Sequence, residues 1–295
     1  MTTTTADPDV TVGQALRAAA RRLNAARLDS PRLAAEALLA HTLNLNRAQL
    51  LARLERPLHI DQLGSFQTLV DRCESGEPLA YVLGHREFYA LDFLVDRRVL
   101  IPRPETELLV ETAIHIASAR SGTRTTAHSI ADIGTGCGAI AVTLAVHLPH
   151  TRIMATDISP EAVDVALQNA RRHGVADRIT FQIGDLLQPI DAPVDLIAAN
   201  LPYVRSTEWA HLAQSIRGYE PAIAFDGGSD GLEMVGRLLR EAPGALRPGG
   251  CILLEIGAAH GEAALELARD SFPRSDIAIR ADYAGRDRLL AVEAP

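Results

Sequence analysis

The stretch that decides the fold is residues 129–148, SIADIGTGCGAIAVTLAVHL, in which a glycine-rich turn separates two apolar runs. The first run, 129–133, predicts a buried strand, and the second, 139–148, predicts a helix. Glycines at 134, 136 and 138 would let the backbone turn tightly between them and approach a ligand closely. The stretch therefore predicts the first strand–turn–helix unit of an open α/β sheet.

Toward the C-terminus the same alternation of strand and helix continues. Ser159 and Pro160 are a typical N-cap and first turn, and predict a helix that ends near Gly174. Alternation of this kind implies a largely parallel sheet that helices cover on both faces. The predicted strands are 152–156, 178–183, 194–199, 251–255, 277–280 and 288–292, and the later predicted helices are 231–242 and 261–269.

Toward the N-terminus the pattern is helical. Apolar residues at helical spacing predict helices over 13–27, from Ser30-Pro31 onward with Ser30 as N-cap, and over 47–54 and 62–73. Aromatic and branched residues over 86–102 predict a short β-hairpin, and a helix follows at about 105–119. We expect a helical domain at 1–84 that docks a substrate, a hairpin linker at 85–103 and a sheet domain at 104–295.

Composition excludes several classes of function. The 295 residues contain 29 arginines, no lysine and 37 acidic residues, so the net charge of −8 argues against a protein that mainly coats nucleic acid. Without lysine there is no Walker-type phosphate lysine and no Schiff base. Cys73, Cys137 and Cys251 match no zinc spacing, so we expect no metal site and a reduced, cytoplasmic protein. Residues 1–10 lack the basic start and apolar run of a secretory signal, and no apolar stretch is long enough to predict a membrane span.

Acidic side chains follow the next two strands of the predicted sheet. Asp157 could accept both hydroxyl hydrogens of a ribose, and Asp185 would meet the edge of an adenine. Dinucleotide loops space their third glycine three residues after the second, whereas Gly138 follows Gly136 by two. This favours the methyltransferase version of the loop, whose ligand carries an amino-acid tail instead of phosphates. NAD binding and a plain tight turn remain the alternatives.

The strand 194–199 ends in Asn200-Leu201-Pro202-Tyr203, which closely resembles the Asn-Pro-Pro-Tyr motif of methyltransferases that act on planar amide or aromatic amine nitrogens. The side-chain oxygen of Asn200 and the carbonyl of Leu201 can accept both hydrogens of an amide nitrogen, and Tyr203 can stack on its flat face. Catalysis would then be alignment and electrostatics without a strong general base, which suits the absence of an obvious His or Glu nearby in the sequence. Leu201 stands where that motif usually has proline, but it keeps the carbonyl and, before Pro202, a bias toward extended backbone.

Five further strings identify a narrower resemblance. The chain resembles the HemK/PrmC family, the methyltransferases of peptide-chain release factors, from about Leu16 to its C-terminus, most weakly in the helical region. The strings are GEPLAY at 76–81, GHREF at 84–88, LIPRPETE at 100–107, YEP at 219–221 and GGSDGL at 227–232.

The resemblance implies a small N-terminal helical domain, a β-hairpin linker and a seven-stranded Rossmann-like class I methyltransferase sheet of α/β class. It implies transfer of a methyl group from S-adenosyl-L-methionine to the glutamine of the Gly-Gly-Gln loop in release factors. Asp157 would hold the ribose, and Asp185 with Leu186 would border the adenine, although many relatives have an aromatic residue at the Leu186 position. The residues that would wrap the methionine part are Gly134, Thr135, Gly136, Cys137 and Gly138. The residues that would bind the glutamine and align it for catalysis are Asn200, which also borders the cofactor, Leu201, Pro202 and Tyr203.

Two other functions fit part of the pattern. A nucleic-acid methyltransferase acting on the exocyclic amine of adenine uses nearly the same acceptor motif, but it needs a basic target-recognition region with base-stacking aromatics. This chain is acidic and only 4% aromatic, so direct nucleic-acid binding is not expected. A cofactor-binding protein without activity is disfavoured by the intact acceptor motif. The expected partner is a release factor, with no membrane association.

Overall fold

The computed structural model describes residues 10–121 and 128–295, so most of the Thr-rich start, 1–9, lies outside the described residues. Contacts divide the described chain into two compact units. Unit 1 contains the residues up to Gly84 together with Gln214–Tyr219, and unit 2 contains His85–Ala213 and Glu220–Pro295. The assignment of Gln214–Tyr219 to unit 1 has no counterpart in the sequence-based interpretation.

Unit 1 is a small bundle of helices around an apolar core. The fully buried side chains at its centre include Leu23, Leu38, Leu50 and Phe66. Its helices are α1 (Val12–Ala25), α2 (Pro31–Leu43), α3 (Arg47–Leu51), α4 (Ile60–Glu74) and α5 (Leu79–Leu83). The predicted helices are confirmed, but α3 is shorter than the predicted 47–54, because a series of turns follows Leu51.

The start of α2 differs from the prediction in one respect. Pro31 occupies the first turn as expected, but Ser30 has a φ of 50° and, within the described residues, its side chain makes no capping bond. A capping hydroxyl needs extended backbone at the N-cap to reach the amides of the first turn. The left-handed backbone of Ser30 therefore leaves the helix without the predicted cap.

The predicted hairpin is present and shorter than expected. It consists of β1 (His85–Phe88) and β2 (Leu91–Leu94), joined by Tyr89 and Ala90 with φ values of 49° and 59°. Two successive positive φ angles give the turn whose twist matches that of the paired strands. The chain leaves the hairpin at Val95, and a turn closed by the Val99 amide and the Asp96 carbonyl (3.1 Å) ends the extended pattern that the sequence suggested up to 102.

The described part of unit 2 contains a seven-stranded sheet in the order β5-β4-β3-β6-β7-β9-β8. Pairing from β5 to β7 is parallel, and β9 runs antiparallel to both β7 and β8. The strands are β3 (Ser129–Ile133), β4 (Arg152–Asp157), β5 (Ile179–Ile183), β6 (Val194–Ala199), β7 (Leu246–Glu255), β8 (Asp276–Ala281) and β9 (Asp287–Glu293). The α/β fold class with a seven-stranded sheet, predicted from the sequence, is confirmed.

Helices of unit 2 precede β3 or connect one strand of the sheet to a later one. They are α6 (Glu107–Ser121), α7 (Ala139–His147), α8 (Pro160–Arg172), α10 (Glu233–Ala245) and α11 (Gly261–Ser271), while α9 (Gln214–Arg217) belongs to unit 1. A 3-10 turn, Pro104–Thr106, leads into α6, where the sequence predicted one continuous helix from about 105. Among the described residues, none of the helices combines the length and apolar character that crossing a lipid bilayer requires.

The strand order reverses beside β3. The chain passes from β3 outward through β4 to β5 and then returns to the other side of β3 as β6. At such a reversal the connections after the two central strands diverge to opposite faces and leave a crevice at their carboxyl ends. The segments that follow β3 and β6 are therefore expected to form the ligand site.

Asn169 on α8 ties the hairpin and the glycine-rich turn to the same helix. Its Oδ1 accepts a hydrogen bond from the Leu94 amide (2.7 Å), and its Nδ2 donates to the carbonyls of Leu94 (3.0 Å) and Cys137 (2.8 Å). The side chain is fully buried, so water cannot replace these bonds. One amide thus fixes two segments that are distant in sequence.

We expect Asn169→Ala to lower the free energy of unfolding by at least about 2 kcal/mol, because each buried polar group left without a partner costs roughly 1–3 kcal/mol. Urea denaturation followed by circular dichroism measures the loss. Gln168→Ala is the matched control, since the neighbouring Gln168 makes an exposed hydrogen bond to Asp164. Equal stability of the two variants would contradict the bridging role of Asn169.

Candidate active site

A cavity of about 580 Å³ opens at the carboxyl ends of β3, β4 and β6. Its volume lies within the roughly 300–1,000 Å³ range of small-molecule sites. Most of the sequence-predicted site residues line it: Gly134, Thr135, Gly136, Cys137, Asp157, Asp185, Leu186, Asn200, Leu201 and Pro202. Two of them, Gly138 and Tyr203, are not among the described residues that line it. The fold thus brings four separate sequence segments to one cavity.

The glycine-rich turn after β3 is held against the end of β4. The amides of Gly134 and Thr135 both donate to the carbonyl of Thr156, at 2.8 and 2.9 Å. Gly134 and Gly136 have φ values of +73° and +56°, which side chains rarely adopt. A Cβ on Gly136 would have no described atom within 4 Å, so the turn presents an open cradle at this position.

Gly138 has a packing role in addition to the ligand contact that the resemblance implies, which stays a prediction. It lies at the start of α7 with a φ of +84°, and a Cβ there would come within 3.2 Å of Ala166 on α8. Its lack of a side chain lets the two helices approach each other closely. Gly138 therefore packs against α8 at the end of the turn.

Asp132, the last polar residue of β3, shapes the turn from below. Its Oδ2 accepts hydrogen bonds from the Thr135 hydroxyl (2.7 Å) and the Ala141 amide (3.0 Å). Burial of the carboxyl group raises its pKa to about 7. The sequence interpretation assigned no role to Asp132; the signal for it is an acidic residue inside an otherwise apolar strand, directly before the glycines.

Asp157 ends β4 and faces the cavity. Its Oδ2 accepts from the Gly136 amide and its Oδ1 from the Ser159 amide, both at 2.9 Å. Burial raises the pKa of this carboxyl group above its usual range, and the backbone amides oppose the rise. Each carboxylate oxygen can accept more than one hydrogen bond, so both can still bind hydroxyl groups of a ligand.

Asp185 and Leu186 follow β5 at another wall of the cavity. Asp185 Oδ2 accepts from Arg237 Nη2 of α10 (2.6 Å), an ion pair that sequence spacing did not predict. Leu186 has a φ of 48°, and its carbonyl accepts the Thr156 hydroxyl (3.1 Å). Contacts with α10 and with β4 therefore hold Asp185 and Leu186 in place.

The acceptor segment 200–203 follows β6 and meets the glycine-rich turn directly. A Cβ on Gly134 would lie 3.2 Å from Leu201 Cδ2, and the Leu201 side chain is buried. Leucine thus fills the space beside the turn, a contact that the sequence interpretation did not assign to this side chain. The turn and the acceptor segment form adjoining walls of one cavity.

Thr106 and Glu255 join the acceptor segment from two other elements. Asn200 Nδ2 donates to Thr106 Oγ1 (3.0 Å), Thr106 donates to Glu255 Oε2 (2.6 Å), and the Tyr203 hydroxyl donates to Glu255 Oε1 (3.3 Å). We expected no Glu near the motif, and that expectation is wrong, because β7 pairs with β6 and carries Glu255 to the same edge of the sheet. An acidic residue at the end of an apolar strand was the available signal.

Burial changes the acidity of both partners in this cluster. The pKa of Glu255 rises to about 7, mainly because the carboxylate is removed from water. The pKa of Tyr203 rises to about 12 through burial and the neighbouring Glu255 charge. Tyr203 is therefore a neutral hydrogen-bond donor at neutral pH.

The string GGSDGL packs on the acceptor backbone. A Cβ on Gly227 would lie 2.7 Å from the Pro202 carbonyl oxygen, and one on Gly231 would lie 2.6 Å from that of Tyr203. Side chains at either position would displace the acceptor segment. The close approach of the backbone therefore explains why both positions are glycine, which the resemblance alone did not.

The strings LIPRPETE and YEP meet through one buried carboxylate. Glu220 accepts hydrogen bonds from the Ile101 amide (3.0 Å) and from the Arg103 guanidinium. Arg103 in turn lines the cavity. This contact joins segments more than a hundred residues apart and explains in physical terms why both strings accompany the site.

Comparisons with known proteins identify the family of the chain. Residues 14–84 match the family model described as PrmC N-terminal domain, and residues 106–216 match the one described as Methyltransferase small domain. The structure also resembles the N-terminal domain of human METTL16 in complex with SAH, with a TM-score of 0.51 and 18% identity, over 75% of this chain and 82% of that one. At this identity the likeness concerns the fold alone.

Two curated relatives are similar over nearly their whole length. The release factor glutamine methyltransferase of Moorella thermoacetica is 45% identical over 282 residues, which cover 95% of this chain and 98% of that protein. The protein of the same name from Chlorobaculum tepidum is 40% identical over 273 residues, which cover 91% and 92%. The chain therefore belongs to the release factor glutamine methyltransferase family.

Proposed function

We propose that this protein transfers a methyl group from S-adenosyl-L-methionine to the side-chain amide nitrogen of the Gly-Gly-Gln glutamine in a peptide-chain release factor, in the cytoplasm. The observation that carries the proposal is the contact between the glycine-rich turn and the acceptor segment, which leaves a single cavity for methyl donor and acceptor. Membership of a family whose curated relatives bear this name supports the same reaction.

The described residues fit S-adenosyl-L-methionine. When bound, this cofactor supplies a methyl group on a positively charged sulfur. Asp157 keeps acceptor capacity on both oxygens for the ribose hydroxyls, and the open side of Gly136 admits the amino-acid tail. Leu186 offers an apolar surface to the adenine, with Asp185 beside it holding Arg237.

The acceptor residues would work by alignment. An amide nitrogen is a poor nucleophile because its lone pair is delocalised into the carbonyl. Asn200 Oδ1 and the Leu201 carbonyl would accept the two N–H hydrogens of the glutamine, and so turn the nitrogen toward the methyl group. Stacking of Tyr203 on the amide stays a prediction; the bond from its hydroxyl to Glu255 would hold the ring in one place.

Unit 1 would contribute to binding the release factor. In support, its exposed side chains include three large apolar ones, Leu33 (50%), Leu54 (37%) and Ile60 (68%). The charge balance of this region also differs from that of the rest of the chain. Residues 10–84 carry nine arginines and seven acidic residues, whereas residues 85–295 carry 20 arginines and 28 acidic residues. A separate recognition surface of this kind would favour an intact release factor over a short peptide.

The reaction is tested with labelled cofactor and purified substrates. We expect methylation of an intact release factor, no labelling when its Gly-Gly-Gln glutamine is replaced by alanine, and none of DNA or tRNA. A short Gly-Gly-Gln peptide should be methylated with a KM at least about tenfold higher, because it lacks the surface that unit 1 would bind. Labelling of DNA or tRNA in preference to the release factor would establish the adenine alternative instead.

Calorimetry tests the cofactor site. Asp157→Ala should weaken binding of S-adenosyl-L-methionine by about 1.5–3 kcal/mol, because it removes charge-assisted hydrogen bonds. Asp177→Ala, at an exposed position, is the control and should leave binding unchanged. NAD should not bind the wild-type protein. If NAD binds as tightly as the methyl donor, the cofactor assignment fails. If Asp157→Ala binds the methyl donor like the wild type, the placement of the ribose fails.

Steady-state kinetics separate the side-chain role of Asn200 from the backbone role of Leu201. Asn200→Ala should lower kcat about a hundredfold with cofactor affinity retained, since it removes an aligned acceptor. Leu201→Pro keeps the carbonyl, so its kcat should stay within severalfold of wild type. Any loss in that variant should appear in cofactor affinity, because the leucine side chain packs against Gly134. Equal damage to kcat in both variants would refute the backbone-carbonyl role.

A further inference from the structure

Two side chains of the acceptor segment and two from other elements form a continuous series of hydrogen bonds. The four residues, referred to below as the polar chain, are Asn200, Thr106, Glu255 and Tyr203. They come from the end of β6, the turn before α6, the end of β7 and the acceptor segment itself. Thr106 and Glu255 are almost completely buried, at 4% and 1% exposure. The bond between Thr106 and Glu255, in the middle of the polar chain, is therefore shielded from bulk water.

The direction of every bond in the polar chain follows from Glu255, which accepts from a neighbour on each side. A carboxylate can only accept, so the Thr106 hydroxyl must donate its hydrogen to Glu255. The Thr106 oxygen is then left to accept, and it meets the NH₂ end of the Asn200 amide. That contact commits the NH₂ end to the interior and leaves Asn200 Oδ1 for the cavity.

We infer that Thr106 and Glu255 are positioning residues, which together fix the end of the Asn200 amide that faces the glutamine. The inference rests on the proposed function. If the Asn200 amide were reversed, its NH₂ group would confront the N–H hydrogens of the substrate amide, and no hydrogen bond could form. Correct orientation is thus a condition for alignment of the reacting nitrogen.

The composition of the polar chain supports this role over simple packing. Glu255 accepts hydrogen bonds from two neutral hydroxyl groups, and a buried carboxylate is expensive to desolvate. Apolar residues of similar volume would fill the same space at lower cost. A carboxylate differs from these replacements, and from an amide, in being an acceptor on both oxygens.

Protonation of Glu255 would give the carboxyl group a hydrogen to donate, so the direction of the hydrogen bonds in the polar chain would no longer be fixed; this makes the effect of Glu255 measurable. Burial raises the pKa of this group to about 7, and the charged groups that face the cluster are Arg288 of β9, Glu105 before α6 and Arg103. The carboxylate is the competent form. Activity should therefore be complete above this pKa and should be lost as the pH falls through it.

Kinetics of four variants on an intact release factor test the inference. Thr106→Val removes the hydroxyl and keeps the shape; it should lower kcat by about tenfold to a hundredfold, with cofactor affinity unchanged by calorimetry. Thr106→Ser should restore kcat to within about threefold. Thr112→Val, at a buried position of α6, is the matched control with wild-type kcat. Glu255→Gln should remove the fall of kcat below about pH 7 that the wild type shows.

A spectroscopic measurement reports on the Asn200 amide without catalysis. The sequence contains five asparagines, so protein labelled with ¹⁵N-asparagine gives five side-chain amide signals, and Asn200→Ala assigns one of them. We expect that signal to titrate near pH 7 in the wild type and to be invariant in Glu255→Gln. Absence of the titration, or an unchanged kcat in Thr106→Val, overturns the inference. If the titration is seen but no release factor is methylated, the polar chain stands and the proposed function fails.

Discussion

The hydrogen-bonded register between β3 and β6 is the constraint on which the site depends. It sets Ile133 opposite Ala199, so that both strands end at the same level of the sheet. The glycine-rich turn leaves one strand and the acceptor segment leaves the other, and only adjacent parallel strands bring such segments side by side. A shift of one residue would turn the side chains of β6 to the opposite faces and carry Asn200 away from the cavity.

Buried carboxylates hold the loops around that register. Asp132 and Asp157 bind amides of the glycine-rich turn and the residues after it, and Glu220 binds the segment at Ile101 and Arg103. Each carboxylate accepts hydrogen bonds from backbone amides that the local structure leaves without a partner. An unpaired buried amide would cost about as much free energy as a lost hydrogen bond.

The fold and most residues that line the cavity could be predicted from the sequence because their signals are local. Periodicity located the strands, and the glycines, Asp157 and Asn200 each directly follow a strand, so the carboxyl-end rule for parallel sheets collects them. The contacts that reach across the sheet carry no such signal. Glu255 lies 52 residues beyond Tyr203, Arg237 lies 52 beyond Asp185, and Thr106 precedes Asn200 by 94. Their pairing depends on strand order and register, and no pattern within either segment encodes these.

The division of the chain into units has a consequence for protein synthesis. Unit 1 begins at the N-terminus but includes Gln214–Tyr219, where the Tyr219 hydroxyl donates to the Ser75 carbonyl at 3.3 Å. A ribosome therefore completes the first helices roughly 130 residues before it makes the segment that finishes the unit. At about 5–20 residues per second, that interval is on the order of 7 to 26 seconds. The nascent helical bundle must persist for that time with one of its own surfaces uncovered.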